Sequence, residues 1–388
     1  MSRRLAGGLA LLVVAASPAA AQDDMPWAAS YYPYVVKGPN DKLSLVLHYQ
    51  YAQNADYYDA VPFAKSFSAE AGANADGGRF LVARFKGPRI APGWRLFAEA
   101  GAVREARFGY YGLGNDTEEI DDPDNPYATR IRRNRYYAQV DGTRHVAGPL
   151  QVFLGGGIVR AEYSALPGAS VAQGDCFGFM NTPTPQTIAA QPAGDCSGDT
   201  DAWGRLGFAV DTRDREMVTS RGVLLEAGVF AGSGGDGYSG LYGIAQGFVS
   251  PREGLVLGAR ALGRAMSDGA PLDARYRMPA WERDIPTLGG PYSHRSFIYG
   301  RYTGRHVLLG NLEARQDILN FGDYGAITAV GFLDAGRVHE GVPEESDDLH
   351  VGGGGGLALR ILRSTVLTFN FAGGPDGFLF SMGTGWAF

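Results

Sequence analysis

From Trp27 to the end of the chain, apolar and polar residues alternate with a period of two, in segments separated by clusters of glycine, proline and aspartate. Successive side chains of a strand point to opposite faces, so this period marks strands and not helices. The pattern is clearest at the C-terminus. There Phe378, Phe380, Met382, Thr384, Trp386 and Phe388 share one face, and Leu379, Ser381, Gly383, Gly385 and Ala387 the other. The alternation predicts strands over 30–37, 41–52, 63–71, 79–87, 93–109, 130–141, 149–163, 202–212, 221–231, 238–250, 254–266, 305–316, 325–334, 350–360, 364–372 and 378–388, about sixteen in all. The first is weakened by Pro33, which has no N–H to give a ladder.

The two faces differ in kind. Leu206, Phe208 and Val210 oppose Arg205, Asp211 and Arg213, and Val223, Leu225, Ala227 and Val229 oppose Glu226. Leu255, Leu257, Ala259 and Ala261 oppose Arg260 and Arg264, while Leu308, Leu312 and Ala314 oppose Asn311, Glu313 and Arg315. Charges of both signs, with small residues between them, recur on one side of consecutive strands. This suits a polar lumen with the apolar face against lipid. The three longest connections, 109–130, 163–202 and 266–305, all follow odd-numbered strands, whereas 142–149, 251–254 and 361–364 are short. Long loops on one side and short turns on the other mark an outer-membrane barrel, and lipid leaves no open strand edge satisfied. The fold class expected is therefore all-β, a transmembrane antiparallel β-barrel of about sixteen strands.

Composition fits once it is divided between the faces. Of 388 residues 45% are hydrophobic and 20% charged, proportions that look ordinary for a soluble chain until the strands are resolved. The 57 glycines suit small lumen-side positions and turns, and the aromatics suit interface girdles. The longest apolar run, Leu9–Ala16, is too short for a membrane helix. It follows Arg3-Arg4 and precedes Ala19-Ala20-Ala21, the order of a secretory signal peptide. Residues 1–21 are thus expected to be cleaved, leaving 22–388 as a single outer-membrane barrel domain. Loss of Arg3 and Arg4 takes the formal charge from −6 to about −8, which gives no footprint for nucleic acid. Cys176 and Cys196 lie in a Gly/Pro/Asp-rich stretch, and an exported compartment favours a disulfide between them, worth roughly 3 kcal/mol.

Several stretches taken together resemble the bacterial surface antigen family, the barrels of the eighty-five-kilodalton outer-membrane protein superfamily. Phe108-Gly109-Tyr110-Tyr111-Gly112-Leu113-Gly114-Asn115 resembles its G-x-G-N entry to an outer loop, and Val210-Asp211-Thr212-Arg213-Asp214 with Ser220-Arg221-Gly222 its D-x-R-D…G turn. Leu288-Gly289-Gly290, His294-Arg295-Ser296-Phe297 and Asn311-Leu312-Glu313-Ala314-Arg315 resemble its sixth-loop block, and Gly331-Phe332-Leu333-Asp334-Ala335-Gly336 its F-x-D-x-G strand. The matches run in family order from about residue 108 to Phe388.

The resemblance implies that the sixth extracellular loop folds into the lumen. Its arginine, here Arg295, would pair with Asp334, with Glu313 as a second candidate, through the two-pronged bond only a guanidinium makes. Ser296 stands where the family has glycine, which reshapes the loop tip. The terminal aromatics Trp386 and Phe388 resemble the signal read by the barrel assembly machinery. Family members that insert or secrete proteins carry periplasmic POTRA modules before the barrel, and strand-like sequence here begins almost at Gln22, so no such module is expected.

Other constellations are weaker. Gly352–Gly356 has no following helix to cradle phosphate, and close backbone approach in the wall explains it better. The acidic runs Asp121, Asp122, Asp124 and Glu344, Glu345, Asp347, Asp348 read as solvated loop charge. The six histidines form no metal-type spacing, and Ser293 beside His294 is poor geometry for a nucleophile and its base. No catalytic residues, cofactor or metal are expected. The leading expectation is a structural or pore-type barrel in which Arg205, Arg213, Arg260, Arg264 and Arg315 line the lumen. A component of protein assembly or translocation that works with separate periplasmic modules comes second, and a barrel lipid hydrolase third. Expected partners are outer-membrane lipids and lipopolysaccharide, the assembly machinery during biogenesis and, for the second reading, a separate periplasmic protein.

Overall fold

The computed structural model describes residues 26–37, 43–55, 59–120, 124, 127–166, 198–281, 284–341, 345–361 and 365–388. Residues 1–21, expected to be a cleaved signal peptide, and both cysteines, Cys176 and Cys196, lie outside the described residues. Among the described residues sixteen strands form one antiparallel sheet in sequence order. They are β1 (Trp27–Lys37), β2 (Leu43–Asn54), β3 (Phe63–Asn74), β4 (Arg79–Ala91), β5 (Trp94–Gly109), β6 (Arg130–Ala147), β7 (Leu150–Ala165), β8 (Gly198–Asp211), β9 (Gly222–Gly232), β10 (Tyr238–Arg252) and β11 (Leu255–Met266), followed by β14 (His306–Asn320), β15 (Gly325–His339), β16 (His350–Ile361), β17 (Thr365–Gly374) and β18 (Gly377–Thr384). Among the described residues between β11 and β14 are one helical turn, α1 (Leu272–Arg275), and two short strands, β12 (Arg277–Met278) and β13 (Ile285–Pro286), that pair with each other.

Every strand read from the alternation is present, and most run longer than expected. β6 continues to Ala147 and β15 to His339. About 9–11 residues suffice to cross a bilayer as a tilted strand, so the remaining ladder stands outside the hydrocarbon. There both faces can be polar and the alternation stops signalling. The C-terminal strand is an exception, ending at Thr384 and not at Phe388. Gly385 takes φ +87° and turns the last residues off the ladder. β18 comes to lie beside β1. Among the described residues no ladder joins the two.

Burial is inverted relative to a soluble protein. On β14, Leu308 and Leu312 are more than half exposed, while Asn311, Glu313 and Arg315 are at most 5% exposed. The same holds on β8, where Leu206 and Phe208 are exposed and Arg205 is buried, and on β11, where Leu257 is exposed and Arg260 and Arg264 are buried. A continuous apolar outer band over a charged interior suits lipid as the surrounding solvent.

Candidate functional site

The segment between β11 and β14 makes contacts with charged residues of the inner face. A tight turn forms its tip. The Gly290 N–H bonds the Phe297 carbonyl at 2.9 Å, and the Phe297 N–H bonds the His294 carbonyl at 3.2 Å. Gly289 stands at φ +125°, where a Cβ would fall 1.9 Å from the Ile298 carbonyl oxygen, so only glycine fits.

This turn delivers Arg295 to the wall. Its backbone N–H and Nε donate to one Asp334 carboxylate oxygen at 2.8 and 2.9 Å, and Nη2 donates to the other at 2.7 Å. Nη1 reaches Glu313. The guanidinium also lies over the Phe332 ring, 3.8 Å from its centroid. Burial opposes the charged guanidinium, but the two carboxylates outweigh it and hold the Arg295 pKa above its ordinary value.

Strand register explains why the receiving groups converge. Arg260, Asn311, Asp334 and Gly352 are ladder partners across β11, β14, β15 and β16. Asn311 donates to Asp334 at 2.8 Å and to the Ser293 carbonyl at 2.9 Å. Arg260 donates to Asn311 and to the Tyr292 carbonyl, each at 2.9 Å. Gly352 ends the row with empty space that Ser296 fills, since a Cβ there would lie 2.3 Å from the Ser296 Oγ. The glycine run is thus a place of close approach. Two residues before and after Asp334, Phe332 forms the floor under Arg295, and Gly336 leaves room for Leu288, whose Cδ2 would stand 2.8 Å from a Cβ.

His294 is buried, and its Nε2 donates to the His350 carbonyl at 3.0 Å. Burial pushes its pKa down. His294 and Phe297 pack at 4.5 Å between centroids, and the Phe297 ring meets Tyr302 edge-on at 5.1 Å.

Of the further anchors, Asp273 and Arg301 are not singled out by the sequence pattern, whereas Arg264 is expected along the lumen. Asp273 on α1 meets Arg133 and Arg135 of β6 at 3.3 and 3.2 Å, and Arg277 at 3.0 Å. Burial raises the cost of its charge, yet the three arginines hold its carboxyl well below the usual range. Arg264 donates to the carbonyls of Ala274, Arg275, Arg277 and Gly304. Arg301 bonds Asp376 at 2.8 Å and the Thr117 hydroxyl at 3.0 Å. A lone aspartate in a one-turn helix leaves no periodic trace. The available signal was on the wall, where Arg133 and Arg135 share the inner face of β6.

The arginines expected along the lumen divide. Arg205 meets Asp141 at 2.8 Å, Asp284 at 3.2 Å and the Ala280 carbonyl at 2.7 Å. Arg315 bonds Glu313 at 2.6 Å. Arg213 stands past the end of β8 in a turn and pairs with Asp211 at 2.8 Å. In that turn Asp214 accepts from the backbone N–H groups of Arg215, Ser220 and Arg221, and Gly222 takes φ +107°. Trp386 and Phe388 are turned inward by Gly385. Arg315 lies 4.2 Å over the Trp386 ring, and Phe388 packs 5.8 Å from Phe248. Glu345, expected as solvated loop charge, instead has a buried carboxylate that accepts from the N–H groups of Asn115, Glu340 and Gly341. Asn115 also ties this loop down, donating to the Asp348 carbonyl at 2.9 Å.

No protein-family model and no curated protein sequence matches the chain. Solved structures do. The chain is similar to BamA from Haemophilus ducreyi lacking POTRA domains 1–3, at 12% identity and a TM-score of 0.55, over 92% of this chain and 70% of that one. It is similar to CdiB from Escherichia coli at 12% identity and a TM-score of 0.59, over 94% and 63% of the two chains, and to CdiB from Acinetobacter baumannii at 11% and 0.51, over 93% and 59%. The chain thus spans less than two thirds of either CdiB. At these identities the likeness is one of fold, and it is the barrel fold that the resemblance to the surface antigen family implies.

Proposed function

We propose that this chain, a bacterial outer-membrane barrel with the fold found in BamA and CdiB, is a pore-type barrel whose lumen the segment between β11 and β14 closes at rest. The observation that carries the reading is the docking of Arg295. A loop lying loosely over a mouth would not direct its own N–H and guanidinium into one buried wall carboxylate. In this reading Arg295, Asp334 and Glu313 form a latch, Gly289 and Gly290 permit the turn that presents it, and His294, Ser296 and Phe297 fill the wall around it. Arg205, Arg260 and Arg264 then serve the plug as well as the lumen, because each donates to carbonyls of the segment. Planar-bilayer recordings test the proposal. The intact barrel is expected to pass little current, and deletion of residues 289–297 to raise single-channel conductance several-fold. Absence of current from the folded deletion variant would remove the pore reading.

A second reading, assembly or translocation with separate periplasmic modules, is favoured by the seam between β1 and β18. Unpaired edge strands offer open N–H and C=O groups to an extended client. Recovery of a periplasmic protein with the barrel from solubilised outer membranes supports it, and repeated recovery of none counts against it.

A further inference from the structure

At the long-loop end of the barrel, the outer face of β4 to β7 departs from the apolar band beneath it. On β6, Arg133 and Arg135 face inward to Asp273, so alternation places Arg132 and Asn134 outside. On β5, Glu99 and Glu105 face inward to Tyr137 and Arg133, which places Arg104 outside. Arg104 is the ladder partner of both Arg79 on β4 and Asn134 on β6.

Like charges set directly opposite on neighbouring strands destabilise the pair. No ion pair or hydrogen bond relieves the Arg79, Arg104 and Arg132 guanidiniums among the described residues, and the Nε atoms of Arg104 and Arg132 are buried without a partner. The neighbouring outward arginines are already engaged, Arg107 with Asp76 at 3.2 Å and Arg160 with Glu162 at 2.8 Å. One register row nearer the membrane centre stand Leu81, Ala102 and Tyr136, with Leu81 58% and Tyr136 50% exposed. Uncompensated guanidiniums therefore border directly on lipid-facing apolar surface.

We infer that Arg79, Arg104 and Arg132 bind the phosphate headgroup of an outer-leaflet lipid, with its acyl chains lying on Leu81, Ala102 and Tyr136. A phosphate accepts two parallel bonds from each guanidinium fork and neutralises the opposed pair. The apolar row selects an anchored phosphate over a free one. The inference rests on the outer-membrane reading, with the long loops on the outside.

The test uses the full-length barrel in nanodiscs, with bisphosphorylated lipid A and its dephosphorylated form as probes and inorganic phosphate as competitor. The wild type should prefer the phosphorylated lipid. The triple variant Arg79→Gln/Arg104→Gln/Arg132→Gln should bind it on the order of a hundredfold more weakly at low salt, at about 1 kcal/mol per arginine. Millimolar inorganic phosphate should not displace it. Equal affinity of the wild type for both lipids, equal binding by wild type and triple variant, or displacement by free phosphate each overturns the inference. Failure of the wild type to insert as a heat-modifiable barrel strikes instead at the outer-membrane reading. Should the triple variant fail to fold, Arg104→Lys and Arg132→Gln separate the cases. The lysine is expected to keep part of the affinity and the glutamine to lose about fivefold, while unchanged binding in both refutes the site.

Discussion

Replacing Asp334 by Asn removes one charge from a place where water cannot substitute for it. Arg295 is 2% exposed and Asp334 fully buried, and three hydrogen bonds at 2.7–2.9 Å join them. After the change Glu313 is the one carboxylate left to Arg295, and Arg315 already shares it. Breaking a buried pair by removing one partner costs about 3–5 kcal/mol, chiefly because the surviving charge is left uncompensated. The docked population of the segment should therefore fall by a factor between about a hundred and a few thousand. Removing both charges together, as Arg295→Met/Asp334→Leu, leaves Glu313 paired with Arg315 and Asn311 bonded to the Ser293 carbonyl, and should cost less than Arg295→Met or Asp334→Leu alone. Amide hydrogen exchange over residues 287–303, followed alongside heat-modifiable migration on gels, measures the effect. Additive losses in the double variant, or wild-type protection in Asp334→Asn, would refute the account of the latch as a coupled buried pair.

The space at Gly352 makes a steric prediction. Gly352→Ala should destabilise the docked segment by about 1–3 kcal/mol through overpacking, and Ser296→Gly should restore much of the loss, read by thermal unfolding of the two variants and their combination. Asp273 makes a pH prediction. Its folded pKa lies below the unfolded value, so its contribution is complete above about pH 4 and is lost as pH falls through the lower folded value. Protection of residues 270–278 should thus persist to about pH 4 and fail well below it, whereas Asp273→Asn should be loosened at every pH. Protection of that segment unchanged down to pH 1 would contradict the assigned ion pairs.

The barrel was legible because lipid and lumen impose opposite demands on alternate residues, and sixteen segments carry that imprint. Strand ends were less legible. Outside the hydrocarbon the ladder of β6 continues through Arg144 and His145 without needing an apolar face. The C-terminus misled because its alternation extends past Gly385, whose positive φ ends the strand while the pattern goes on. Within the site, Arg295 and Asp334 are 39 residues apart, a separation that no spacing rule joins, and only the family resemblance paired them. Asp273 and the four carbonyl acceptors around Arg264 had no such help. Backbone carbonyls leave no mark in a sequence, and the short elements α1, β12 and β13 are too brief to show a period.

The central claim is that the segment between β11 and β14 rests against the inner wall, and a cysteine pair tests it most directly. A Cβ at Gly374 would lie 2.9 Å from the Ser296 Cβ, somewhat closer than the roughly 3.8 Å of a relaxed disulfide, so a small shift of the loop suffices. In a background with Cys176 and Cys196 changed to Ser, Ser296→Cys/Gly374→Cys should cross-link in intact outer membranes, with altered migration on non-reducing gels. Ser296→Cys with Val351→Cys, whose side chain faces lipid, should not. Equal cross-linking in both pairs, or none in the first, would contradict a loop seated on the barrel's inner face.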